Sequence, residues 1–164
     1  MNLNKLTQKS QEAFYEAQNI AIKHGHQEVD VEHLALALIS QENGLIPKLI
    51  TRMGLPAENI INALEIDLRK RPRVSGAGQE AGKIFVSQRL SQLIVKAGDE
   101  ADALKDDYVS VEHIFLAMLS EGTSAPSVKV FSAFGLNRDN FLKTLCDVRG
   151  NQRETTDNPE DTYE

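Results

Sequence analysis

Two hydroxyls and two carboxylates recur in this chain at matched positions: Thr7 and Glu32 in the first half, Ser87 and Glu112 in the second. Each hydroxyl stands where a helix would begin, and each carboxylate falls in the first turn of another helix. A Ser or Thr oxygen there caps free backbone N–H groups and stabilises by ~0.5–2 kcal/mol. An acid beside the positive end of a helix adds ~0.3–1 kcal/mol. The same groups, paired by sequence position, could instead form a small acidic notch open to a guanidinium or ammonium group. Asp106 and Asp107 lie near Glu112 in the chain, whereas the matching stretch before Glu32 reads His26-Gln27. The second notch is therefore the more acidic.

Other chemistries lack their residues. Gly82-Lys83 could close a phosphate-binding loop only with glycine five positions earlier and Ser or Thr next, where the chain has Ala77 and Ile84. Gly76, Gly78 and Gly82 also miss the GxGxxG spacing, and no strand pattern precedes them. His24, His26 and His33 lie near Glu28 and Glu32, but His33 is explained by its place at a helix start, so no metal is expected. HExxH and a recognisable nucleophile context are absent, so an enzyme that merely reuses a helical bundle has no support. Cys146, the single cysteine, cannot form an internal disulfide; its apolar helical surroundings predict a buried thiol and a reducing, cytoplasmic setting.

The elements that must position these residues come in duplicate. Val29-Asp30-Val31-Glu32-His33 returns 80 residues on as Val109-Ser110-Val111-Glu112-His113. Leu6-Thr7 returns as Val86-Ser87, and Gly54-Leu55 as Gly135-Leu136 at a shift of 81. Such self-similarity marks two copies of one module. The apolar spacing is helical nearly throughout, with Thr7, Asp30, Ser87 and Ser110 as caps. It predicts an all-α fold: eight helices in two pseudo-twofold repeats of four, packed as one bundle. No alternating run is long enough for a strand. Repeat one spans 6–69, a glycine-rich and surface-exposed linker spans 70–85, and repeat two spans 86–149, making one domain over 1–149. Residues 150–164 contain no Ile, Leu, Val or Phe and read as a flexible tail.

Charge narrows the partners. The net charge is −6, and four of those negative charges sit in the last fourteen residues. An acidic body without a basic stripe excludes nucleic-acid binding, where phosphate neutralisation dominates. No apolar run approaches the ~18 residues that span a bilayer, so no membrane partner is expected.

The Leu6-Thr7 start, the doubled Glu-His motif, Arg71-Pro72-Arg73-Val74-Ser75-Gly76 and the closing Asn158-Pro159-Glu160-Asp161-Thr162-Tyr163-Glu164 resemble the Clp N-domain superfamily. Within it, linker and tail look like the N-terminal domains of ClpB-type AAA+ disaggregating chaperones. The resemblance implies a non-catalytic domain, monomeric in isolation, that engages unfolded or aggregated polypeptide and supports refolding under heat stress. It implies that no cofactor belongs to this chain: ATP hydrolysis and homohexamer assembly belong to modules beyond the tail. It places substrate engagement at Thr7, Asp106 and Glu112 and in an apolar groove between the repeats, where Ile94, Lys96 and His113 fall by position. Lys96 and His113 are less apolar than the usual occupants. The alternative is an adaptor-docking domain of a ClpC- or ClpA-like protease partner; in ClpC relatives, positions like Thr7/Glu32 and Ser87/Glu112 hold phosphorylated arginine.

Overall fold

The computed structural model describes residues 3–73 and 84–150. A 3-10 turn at Leu3–Lys5 leads into α1 (Gln8–Lys23), β1 (Glu28–Val29), α2 (Val31–Ile39), α3 (Leu45–Arg52) and α4 (Ala57–Arg69). The second repeat runs β2 (Phe85–Val86), α5 (Gln88–Ala103), α6 (Val111–Leu119), α7 (Pro126–Ala133) and α8 (Arg138–Arg149). The all-α, two-repeat reading holds. The glycine stretch around 76–82 and the tail after Gly150, both expected to be mobile, lie outside the described residues.

Every residue of α2 is buried, as is every residue of α6 up to Met118. A helix apolar on all sides must sit inside, so these two form the centre and the other helices cover them. Leu34, Leu38, Ile46, Ile50, Ile60 and Leu64 fill the first repeat. In the second, Phe115 meets Phe131 and Phe141 with ring centroids 5.2 and 4.9 Å apart. Their counterparts by the 80–81 residue shift are Ala35, Ile50 and Ile60. The repeats therefore share a backbone plan and differ in how their cores fill it.

The seam between the repeats crosses over. Val29 pairs in parallel with Val86, and Leu6 forms a parallel bridge with Val109. Each repeat thus lends the lead-in of its first helix to the lead-in of the other's central helix. No strand was expected; these two-residue strands are too short to show alternation in a sequence. At the two ends of the linker, Arg71 is half-buried against Asp30, and the exposed Phe85 is in the ladder.

The turn after α1 positions His26. Gly25 takes φ +74°, and His26 N–H returns to the Ala21 carbonyl at 2.9 Å. Its counterpart is Lys105 at φ +62°, with Asp106 N–H on the Ala101 carbonyl at 2.9 Å. A side chain in the left-handed region costs ~1 kcal/mol that glycine avoids. Cys146, expected to be buried, is exposed. The inward face of α8 is carried by Phe141, Leu145 and Arg149 at i, i+4, i+8, and Cys146 lies about 100° round from Leu145.

Candidate functional site

The crossed seam decides which hydroxyl meets which acid. Ser87 N–H binds the Val29 carbonyl at 3.0 Å, and the Ser87 hydroxyl donates to Asp30 Oδ1 at 2.6 Å while capping Leu90 N–H at 3.0 Å. Thr7 N–H binds the Val109 carbonyl at 3.0 Å, which brings Thr7 to the segment leading into Glu112. The groups matched by sequence position as Thr7/Glu32 and Ser87/Glu112 are therefore placed the other way: Ser87 is bonded to Asp30, two residues before Glu32, and Thr7 to Val109, in the segment that leads into Glu112.

The first notch is filled from within. Arg89, the second residue of α5, grips Glu32 with both terminal nitrogens at 2.9 Å and reaches Glu121 at 3.0 Å. Arg71 binds the same Glu32 and also Asp30 at 3.2 Å and Asp67 at 3.0 Å. Ser127 N–H, at the start of α7, completes the set at 3.0 Å from Glu32 Oε2. Burial alone would raise the Glu32 carboxyl, but hydrogen bonds and charge from Arg89 and Arg71 outweigh it and hold it at about 2. An open notch was expected here; two arginines distant in sequence close it.

Beside it lies a histidine stack. His33 Nδ1 accepts Asp30 N–H at 2.8 Å, which places its proton on Nε2, facing His26 Nδ1 at 2.8 Å. His26 in turn stacks on His24. Burial, then the neighbouring His26 and Arg71, push the His33 imidazole down to about 3, so it is neutral at pH 7. These histidines support a helix start, and among the described residues no group of His, Cys, Asp and Glu is placed to hold a metal.

The second notch has a different circuit. His113 Nδ1 accepts Ser110 N–H at 2.9 Å, and its Nε2 faces Asp106 Oδ2 at 2.6 Å. Arg149 makes a fork to Asp106 at 2.8 and 2.6 Å. Glu112 takes the Ser110 hydroxyl on one oxygen; the other, Oε2, has no hydrogen-bond partner and lies 4.0 Å from Arg149. Thr7 binds Ser10, whose hydroxyl reaches the Val109 carbonyl at 3.1 Å. Thr7, Glu32, Glu112 and His113 are all at most 1% exposed, and Ser87 and Asp106 are buried as well. Of the eight residues singled out, Ile94 is half-buried and Lys96 alone is exposed.

Ile94 opens onto solvent. With Val95, Val109 and Lys5 it lines a cavity of about 430 Å³ rimmed by Asp99, Asp102 and Asp107, with Asp106 in its wall. Val95 is 63% exposed. An apolar floor with an acidic rim suits a polypeptide that carries both apolar and basic side chains. Neither Lys96 nor His113 lines this cavity. Sequence reasoning missed Arg71, Arg89 and Arg149 as partners of the acids. Arg71 stands out in the sequence only as part of the segment 71–76, and nothing local marks the other two.

Residues 5–134 match the Clp repeat (R) N-terminal domain family. The chain is 56% identical over its full length to "Chaperone protein ClpB" of Nitratidesulfovibrio vulgaris, of which it spans 19%. The Hsp104 N-terminal domain from Candida albicans superposes with a TM-score of 0.81 at 20% identity, covering 95% of this chain and 99% of that one. A ClpV N-domain in complex with a VipB peptide superposes with a TM-score of 0.68 at 22% identity, over 93% and 91% of the two chains. Among the described residues no helix is long and apolar enough to cross a membrane. With its duplicated helical repeat and this match over most of its length, the chain belongs to the Clp repeat N-terminal domain family.

Proposed function

We propose that this chain is the substrate-engaging, non-catalytic domain of a ClpB-type disaggregating chaperone, binding unfolded or aggregated polypeptide so that it can be refolded under heat stress. The cavity at Ile94 carries the reading: an apolar patch left open at the repeat seam, with acids around it. Such a site gives weak contact, in the micromolar range or above, because it holds few desolvated anchors. Weak contact suits a domain that must pass its client on. ATP binding and homohexamer assembly then belong to other modules of a cytoplasmic protein, and the isolated domain is monomeric. In this reading Asp106 forms part of the cavity wall, and the buried Thr7 and Glu112 support that wall from behind.

The adaptor-docking alternative draws on the ClpV relative whose N-domain is complexed with a peptide. As a phosphoarginine site the first notch is disfavoured, because Arg71 and Arg89 already occupy Glu32. Amide NMR of the isolated chain with a carboxymethylated, permanently unfolded polypeptide tests the proposal. Shifts should cluster at Ile94, Val95 and Val109; a saturable titration that leaves them unmoved would reject the site.

A further inference from the structure

We propose that repeat one carries a second binding site, separate from the Ile94 cavity: a slot between α1, the C-terminal end of α2 and α4 that receives an arginine side chain of a basic polypeptide. In repeat two the same place is filled by an arginine of the chain itself. There Arg138, the first residue of α8, points its guanidinium at the end of α6. Its Nη1 donates to the Leu116 carbonyl at 3.2 Å and the Ser120 hydroxyl at 2.8 Å, and its Nη2 donates to Glu100 at 2.8 Å.

The matching residues of repeat one are Leu36, Ser40 and Ile20 at the 80-residue shift, and Ala57 at the 81-residue shift of the fourth helix. The two acceptors are thus retained and the guanidinium is lost. The Leu36 carbonyl accepts Ser40 N–H at 3.0 Å, as Leu116 accepts Ser120 N–H at 3.1 Å, leaving each a second lone pair. Where the guanidinium of Arg138 would reach, beside Leu36 and Ser40, there is instead an open groove of about 450 Å³, lined by Ile20, Leu36, Ser40, Glu16, Glu42 and Glu65, while Ala57 borders the adjoining groove that shares Ser40.

No lysine or arginine lines this groove. Glu65 is met by Arg69 at 3.2 Å, and Glu12, also at the edge, by Lys9 at 3.9 Å. Glu16 and Glu42 have no ion-pair partner among the described residues. The rim therefore supplies the negative charge that Glu100 supplies in repeat two. Ile20 replaces Glu100 with an apolar wall, suited to the methylene stem of an arginine. Two acceptors and flanking carboxylates match a planar fork of N–H donors better than a lysine ammonium.

The test titrates the isotope-labelled 164-residue chain with an acetylated, amidated Leu-Arg-Leu-Arg-Leu peptide, and with the same peptide carrying citrulline at both arginines. Citrulline keeps the shape and loses the charge. The arginine peptide should give saturable amide shifts around Ile20, Leu36–Ser40 and Glu65, with the citrulline peptide weaker by about fivefold or more. Ala57→Arg, which restores an internal guanidinium as in repeat two, should abolish these shifts. Should that variant not fold, Glu16→Gln combined with Glu42→Gln should weaken the arginine peptide by about threefold or more. Shifts confined to other surfaces, equal affinity for the two peptides, or binding that survives the substitution in a folded variant would each overturn the proposal. Because the slot lies on repeat one, its failure leaves the Ile94 site untouched, and the reverse.

Discussion

Glu32 and Glu112 hold the same position in the two repeats and are balanced differently. Glu32 is held by the guanidinium groups of Arg89 and Arg71 and by Ser127 N–H, whereas one oxygen of Glu112 has no hydrogen-bond partner and stands 4.0 Å from Arg149. The difference follows from the sequence. The counterpart of Arg89 is Lys9, which pairs with Glu12, and the counterpart of Arg71 at the 81-residue shift is Gln152.

Glu32→Gln should therefore cost about 2–4 kcal/mol, because it leaves two partly buried arginines short of their shared carboxylate. Glu112→Gln replaces a buried carboxyl whose second oxygen has no hydrogen-bond partner and should cost under about 1 kcal/mol. Urea denaturation of both variants checks the contrast, and equal losses would contradict it.

Acid should destabilise the fold before its carboxylates titrate. His33 is held neutral at about 3, below its ordinary value of 6.5, and His26 and His24 are also lowered, chiefly by burial. The unfolded chain thus binds more protons, so stability falls as pH drops below about 6.5 and continues to fall toward 3. The loss should approach about 1 kcal/mol per pH unit. His33→Gln keeps an acceptor for Asp30 N–H and should flatten this dependence. The lowered Glu32 carboxyl contributes above its unfolded pKa, and that contribution is lost as pH falls from about 4.5 toward 2. Denaturation midpoints between pH 4 and 8 for both proteins decide the histidine part.

Lys105 occupies a backbone conformation that its counterpart Gly25 meets with glycine. Lys105→Gly should raise stability by about 0.5–1 kcal/mol, and Gly25→Ala should lower it by about 1 kcal/mol or more. A melting comparison in which Lys105→Gly is the less stable protein would refute this account of the turn.

The duplication, the eight helices and the caps were legible because they rest on local spacing: Thr7, Asp30, Ser87 and Ser110 each precede an apolar helical run. The crossed seam was not. Val29–Val86 and Leu6–Val109 are contacts between distant segments whose strands are too short to leave a pattern. The filling of the first notch was hidden for the same reason, since Arg89 lies 57 residues from Glu32 and Arg71 lies 39. The exposure of Cys146 is not legible locally, because an apolar stretch at a helix end does not show which residue turns inward, and the buried stripe passes through Leu145 instead. Among the expected site residues, only Ile94 borders the open cavity with an apolar side chain, and its neighbour Val95 carried no signal.

The measurement closest to the central claim is the affinity of Val95→Asp for a permanently unfolded polypeptide, read by isothermal calorimetry beside the unaltered chain. Val95 is 63% exposed, so the change should leave the melting temperature nearly unmoved while placing a charge on the cavity's apolar floor. The account predicts affinity weaker by about fivefold or more with the fold intact. Unchanged affinity in a folded Val95→Asp chain would contradict the claim that clients are engaged at the Ile94 cavity.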